Sequence, residues 1–388
     1  MTRARAEIDL AALRRNLGRV REVAQSAAVM AVVKADAYGH GMGPVARAAR
    51  AAGAQWLGVA LPSEALALRS MGDEGRILAW LWAPSDPALE GCVRAGVDLS
   101  VSSRWALAEV AEAARRSERA ARIQVKIDTG LSRNGVTLSD LPSLLDDVVA
   151  AQGAGLVEVE AIWSHLADGD LPGSDTVPKQ LERYLEAVAL AGSRGIHPRL
   201  RHLANSGATF AFPECRFDLV RVGIAMYGLT PSPQLGSAAE LGLEPVMTLR
   251  ARLSNVKAVG AGTSVSYGGT WTATAPTVLG LVPVGYADGV PRAAGGRVDV
   301  AIAGRRCPAV GRIAMDQFVV DLGPGGGQHG DDVFLFGPGR HGEATADEWA
   351  ELIDTIGYEV VTRVGSRVPR EYVGDSDTPQ GDNGTDES

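Results

Sequence analysis

Between residues 29 and 230 the chain alternates short β-rich runs with segments of helical periodicity, and this limits the fold more than any other feature. The strand candidates are Val29–Val33, Trp56–Leu61, Ile77–Trp82, Val97–Val101, Ile123–Ile127, Val157–Trp163, Leu200–Ala204 and Leu219–Ile224. Pro62–Met71, Arg104–Arg116 and Pro178–Ala191 carry helical spacing between them, while Ala208–Arg216 is less clearly helical. Strand–helix alternation of this kind over roughly 200 residues is the pattern of an α/β barrel of the TIM-like (β/α)8 type. A doubly wound open sheet fits the same periodicity and stays open at this level.

After residue 240 the pattern changes. Val246–Val259, Thr277–Val284, Val298–Ile302, Phe318–Leu322 and Val333–Phe336 read as strands between Gly- and Pro-rich turns, with one helical stretch at Thr345–Ile356. The expected division is a barrel domain over 1–240, a mainly β domain over 241–373, and a disordered acidic tail over 374–388. A net charge of −8 argues against general binding to nucleic acid or an anionic membrane. The start of the chain leads into an amphipathic helix, Leu10 to Val23, without a secretory apolar core, and no apolar run is long enough to span a bilayer. Cys92, Cys215 and Cys307 are odd in number and far apart, so neither a disulfide framework nor a metal site is expected. A cytoplasmic location is the expectation.

Of 38 basic residues, the lysines are only Lys34, Lys126, Lys179 and Lys257. A chain that uses arginine almost everywhere and keeps lysine inside apolar strands points to a need for an amine, which can deprotonate and attack a carbonyl. Lys34 and Lys126 both lie in such strands. At the C-terminal end of a barrel strand, Lys34 points into the mouth where barrel enzymes keep their sites. Read alone, it is equally a lysine snorkelling from a strand end.

Val32-Val33-Lys34-Ala35-Asp36-Ala37-Tyr38-Gly39-His40-Gly41 resembles the cofactor-attachment motif of the alanine racemase family. The resemblance continues in order through Val125–Gly135, Trp163–Ala167, His202–Ser206 and Val220–Gly228, then Val265–Trp271, Val284–Gly289, Gly311–Gln317 and Tyr358–Val360. It spans residues 5 to 373 and implies a cofactor-binding barrel followed by a β domain.

The resemblance implies that Lys34 holds pyridoxal 5'-phosphate (PLP) as a Schiff base. It also implies that Lys34 and Tyr267 are the two bases, Lys34 on the D face of the substrate and Tyr267 on the L face. Two bases are needed because a rigidly held planar carbanion must exchange protons on both faces. Taken alone, Tyr267 is a half-buried strand tyrosine.

Arg221 is assigned to the pyridine nitrogen, where many PLP enzymes place an aspartate. A guanidinium only donates, so that nitrogen stays unprotonated and the ring is a weaker electron sink, which limits transamination. Without the resemblance, Arg221 could equally pair with Asp218. With the resemblance, His202 is expected to support Arg221 and His165 to pack beside the ring. Asn205, Ser206, the amides at Gly223 and Ile224, and the hydroxyls of Tyr38 and Tyr358 complete the cofactor site, mainly at the phosphate.

The resemblance implies that Arg133 takes the phenolic oxygen or the substrate carboxylate. Lys126 is a candidate for carbamylation, the plain alternative being an ion pair with Asp128. Met315 and Asp316 approach the substrate across a dimer interface, with Ala314 where relatives often carry cysteine. Tyr286, Arg292 and Arg312 match an access channel. The implied assembly is a head-to-tail homodimer in which Tyr267 and Met315 of one chain complete the site around Lys34 of the other. The implied activity interconverts L-alanine and D-alanine, supplying D-alanine for peptidoglycan. A broad-specificity amino-acid racemase and a non-catalytic PLP carrier are the alternatives.

Overall fold

The computed structural model describes residues 2–374. The expected tail therefore lies, apart from Gly374, outside the described residues.

The alternating region is a barrel. Its strands are Ala28–Val32, Trp56–Val59, Arg76–Ala79, Asp98–Val101, Ala121–Lys126, Val157–Trp163, Leu200–His202 and Leu219–Val222. Each pairs in parallel with its sequence neighbour through the first seven, and the eighth returns to pair with the first over Ala28↔Leu219 to Ala31↔Val222. The seventh strand has only three residues. Its seam with the eighth is therefore closed by isolated bonds, Asp218 N–H to Arg201 O at 3.1 Å and Arg221 N–H to Ala204 O at 3.0 Å. The doubly wound alternative drops out.

Side chains alternate across each strand. On the fifth, the buried apolar Ile123 and Val125 join the main core, while Gln124 and Lys126 form polar contacts inside the barrel. Met30, Trp56, Leu78 and Leu219 make a separate apolar cluster. Gly58 has no side chain because a Cβ there would lie 2.8 Å from Met30 Sδ and 2.9 Å from Trp80. The less clearly helical stretch is a six-residue helix, Ser206–Ala211, followed by a 3-10 turn at Pro213–Cys215.

The second domain is built on a nine-stranded sheet. Three of its strands, Ala4–Asp9, Arg305–Val310 and Arg370–Val373, were not legible. Ala4–Asp9 pairs antiparallel with Met247–Arg252 and parallel with Arg370–Val373, so the chain's first strand sits in the second domain's sheet and not with the barrel. Its buried face is Ala4, Ala6 and Ile8, and alanine gives little strand signal. Arg305–Val310 is masked by paired arginines and by Pro308. The expected strand Val246–Val259 is two, Met247–Arg252 and Asn255–Val259, and the expected helix Thr345–Ile356 ends at Leu352 before a second one, Gly357–Thr362.

Between the two sheets runs the helix Leu10–Ala24, started by Asp9, whose carboxylate accepts Ala12 N–H at 2.9 Å. Leu10, Leu13, Leu17 and Val20 form its buried stripe. Truncating Leu13 to Ala should cost about 2–5 kcal/mol. Among the described residues no helix is long and apolar enough to cross a membrane.

Candidate active site

The chain leaves the first barrel strand through an unusual turn. Ala35, Asp36, Ala37 and Tyr38 all have φ between 53° and 55°, a left-handed run of four residues without glycine. Each L-residue held there costs roughly 1–2 kcal/mol. The turn persists because its surroundings hold it at many points. Glu64 Oε1 accepts Ala35 N–H at 2.7 Å, and Asp36 accepts Met42 N–H at 2.7 Å. The His40 ring nitrogen Nδ1 lies 3.0 Å from both Ala37 O and Tyr38 O. Arg370, from the second domain, donates to Gly39 O at 2.8 and 2.9 Å. The Tyr38 ring packs 4.8 Å from Tyr227.

This turn presents Lys34 to a cavity of about 300 Å³. Its lining gathers Lys34, Tyr38, Lys126, Arg133, His165, Asn205, Ser206, Arg221, Gly223, Ile224 and Tyr358 with Val32, Trp80 and Trp163. Among the described residues, four cationic side chains face the space and no carboxylate does. Lys34 Nζ sits 5.8 Å from the Trp80 ring and 5.9 Å from Tyr38. Burial, then the Arg133 charge, lowers the Lys34 amine below the ordinary lysine range, with Glu64 opposing. Burial and the charges of Arg221 and Arg133 bring Lys126 down to about 8. Lys126 lies 4.5 Å over the Trp163 ring. The alternative partner Asp128 instead accepts the amides of Gly130 and Ser132 at 2.9 and 3.0 Å.

Arg221 is buried without an acid against it. Asp218, the alternative partner, accepts from Arg201 at 3.0 Å. Arg221 donates to the carbonyls of Ser164 at 2.8 Å and Leu203 at 3.0 Å, and to Nδ1 of His202 and His165 at 3.1 and 3.2 Å. It also lies 4.8 Å from the Trp163 ring. Burial and the adjoining guanidinium hold both histidines well below the usual histidine range.

At the other end, Ser206 Oγ accepts Gly223 N–H at 3.0 Å, so that amide is already bonded and the serine hydroxyl remains to donate. Asn205 caps the helix Ser206–Ala211 by accepting Ala208 N–H at 2.9 Å. A Cβ on Gly223 would fall 2.3 Å from Tyr38 Oη. Burial pushes the Tyr38 and Tyr358 phenols up, which keeps them protonated donors.

Tyr267, Tyr286, Met315 and Asp316 do not line this cavity, nor do Arg292 and Arg312. They gather instead on the second domain. Tyr286 N–H bonds Ala314 O at 3.1 Å, Ala287 N–H bonds Met315 O at 2.9 Å, and Ser266 Oγ–H bonds Arg312 O at 2.8 Å. Arg292 starts the 3-10 turn beside Gly295, whose Cβ would meet Gly311 O at 2.8 Å. Tyr267 is 73% exposed and Met315 53%, which are high values for large apolar groups in a folded chain. Asp316 pairs with Arg367 at 2.7 Å.

Sequence reasoning missed Trp80 and Trp163 at the cavity, Glu64 on the turn that presents Lys34, and Gln124 beneath it. The inward alternation of Arg122, Gln124 and Lys126 was a usable signal for Gln124. Nothing in the sequence marks Trp80.

Comparison with known proteins agrees with this arrangement. The family models "Alanine racemase, N-terminal domain" and "Alanine racemase, C-terminal domain" match residues 8–231 and 246–372. The chain is 54% identical over 376 residues to an alanine racemase of Streptomyces coelicolor, covering 96% of each. It is 50% identical over 371 residues to one of Frankia casuarinae, covering 96% of each. The crystal structure of alanine racemase from D-cycloserine producing Streptomyces lavendulae superposes with a TM-score of 0.95 at 52% identity, covering 97% of this chain and 98% of that one. The chain belongs to the alanine racemase family.

Proposed function

We infer that this protein interconverts L-alanine and D-alanine using PLP held at Lys34, and that the site is completed by a second copy of the chain. The carrying observation is a cavity with four cationic side chains and no carboxylate, opened by a lysine of lowered basicity. That donor set suits a ligand with a phosphate at one end and carboxylate or phenolate oxygens at the other. The missing side chain at Gly223 makes room for the Tyr38 hydroxyl, which sets that donor against the backbone at the end where the phosphate would lie.

In this reading Lys34 forms the covalent link. Ser206, Tyr38, Tyr358 and the Gly223–Ile224 peptide hold the phosphate, with Asn205 shaping their helix end. Arg221 meets the ring nitrogen, and His165 lies beside the ring. When bound, the cofactor supplies an electron sink for the charge left at the substrate's Cα. Arg221, which can only donate, leaves the ring nitrogen its lone pair. Arg133 holds the substrate carboxylate or the phenolic oxygen. Lys34, its basicity lowered by desolvation, carries a proton to and from one face of Cα. Tyr267 of a second copy does so on the other face, with that copy's Met315 and Asp316 beside the substrate. Tyr286, Arg292 and Arg312 form the approach. Lys126, as a carbamate, would present an anion to Arg133.

The role is supply of D-alanine for peptidoglycan, and the location is cytoplasmic, in keeping with three buried, unpaired cysteines. The test is a panel of L-amino acids with PLP present and removed. L-Alanine should be turned over fastest, and borohydride should fix the cofactor on Lys34. Equal turnover across the panel favours a broad-specificity racemase, and cofactor binding without turnover favours a carrier.

A further inference from the structure

We propose that Asp98 and Gln124, deep in the barrel, are positioning residues that fix the proton of His202 on Nε2 and thereby hold Arg221 in place. The proposal rests on the assignment of Arg221 to the cofactor made above. The observation is a buried polar chain running from the cavity down the barrel axis. Arg221 Nη1 bonds His202 Nδ1 at 3.1 Å, His202 Nε2 bonds Gln124 Oε1 at 2.8 Å, and Gln124 Nε2 bonds Asp98 Oδ2 at 3.0 Å. Asp98 is fully buried and is bracketed by Arg76 and Arg122, each at 2.8 Å. His202 and Gln124 are fully buried too.

The direction of every bond follows from its ends. A guanidinium only donates, and a carboxylate only accepts. Gln124 must therefore give its N–H to Asp98 and turn its oxygen to His202. His202 must then donate from Nε2 and keep a lone pair on Nδ1 for Arg221. Were the Gln124 amide turned round, the histidine proton would move to Nδ1 and face a guanidinium N–H. That clash of two donors would push Arg221 from its place. The ring itself cannot swing to escape, because Trp163 stacks on it at 5.4 Å and 8°, and the Trp163 indole N–H is held by Ser100 Oγ at 3.1 Å. The proton position is thus the variable, and the anion at the foot of the barrel selects it.

The test uses holoenzyme labelled with 15N-histidine, with His202 assigned by comparison with His202→Gln. Long-range 1H–15N correlation separates Nδ1 from Nε2. The expected wild-type result is an unprotonated Nδ1 and a protonated Nε2. Gln124→Met keeps the bulk and leaves the Asp98–arginine cluster intact. It should give averaged ring-nitrogen signals and a kcat lower by roughly tenfold, the scale of one buried hydrogen bond, with KM little changed. Asp98→Asn, which allows the amide to turn, should shift the proton towards Nδ1, and Gln124→Met decides alone should that variant not fold. A proton on Nδ1 in the wild type overturns the proposal. So does a Gln124→Met protein in which either the tautomer or kcat is unchanged. Wild-type protein without turnover would instead count against the racemase reading, and the nitrogen signals would still decide the tautomer lock.

Discussion

Lys126 is a cation in a place that penalises cations, and its behaviour with pH follows. Its amine is lowered from 10.5 to about 8, first by burial and then by Arg221 and Arg133. Between those values the unfolded chain keeps a proton that the folded chain has lost, so stability rises with pH across that window. Below about pH 8 the full cost is present. In buffer free of carbon dioxide, Lys126→Met should therefore gain most against wild type at pH 7, on the order of 1–3 kcal/mol, and lose that advantage towards pH 10. Urea midpoints at the two pH values check this, and a constant difference contradicts it. A neutral amine also adds carbon dioxide. With 13C-bicarbonate, a carbamate carbon signal is expected that disappears in Lys126→Arg; its absence from wild type removes the carbamylation. Tyr267→Phe should keep the cofactor spectrum and lower kcat by about 10²–10⁴, the usual worth of a positioned acid–base group. Unchanged turnover sinks the two-base assignment. At this scale the sequence told most about residues whose type was rare in the chain. Lysine stood out because arginine does its other work. Glu64 and Trp80 did not, since a capping glutamate and a strand-end tryptophan look ordinary until the fold turns them towards Lys34.

The element that decides the site is the left-handed turn after the first barrel strand. Ala35 is exposed, so removing its methyl forfeits little packing. Glycine would be free of the left-handed penalty of roughly 1–2 kcal/mol but would cost folding entropy of about half that. Ala35→Gly should therefore raise the stability of the cofactor-free protein by about 0.5–1 kcal/mol in urea unfolding. It should also lower activity, because the rigid turn aims Lys34. A variant that is less stable would show that the turn is not strained at this position. This conformation was invisible in the sequence, where Lys34–Tyr38 contains no glycine and two helix-favouring alanines. What imposes it comes from elsewhere: Glu64 on the helix Pro62–Ser70 that follows the second barrel strand, and Arg370 of the second domain. The barrel strands were legible because polar and apolar residues alternate along them or because they are short apolar runs. Ala4–Asp9 was not, because its buried face is alanine, and its partners lie some 240 and 360 residues further on.

At the scale of the whole molecule, the Lys34 pocket and the Tyr267 cluster lie apart on one chain, and the proposed function makes them two halves of a site. A symmetric pair of chains would bring each half to the other's counterpart, forming two shared sites. Two inactive variants should then repair each other. A Lys34→Ala chain still offers Tyr267, and a Tyr267→Phe chain still offers Lys34. In a mixed dimer one site receives both intact groups and the other receives neither. Equal amounts allowed to exchange freely give mixed dimers in half the population, so about one quarter of the wild-type activity should return. Differently tagged chains verify that mixed dimers have formed. Activity that stays at the sum of the two variants, with mixed dimers present, would mean that each chain carries a complete site. The shared-site proposal expects otherwise, because the exposed Tyr267 and Met315 lie away from the Lys34 pocket of their own chain.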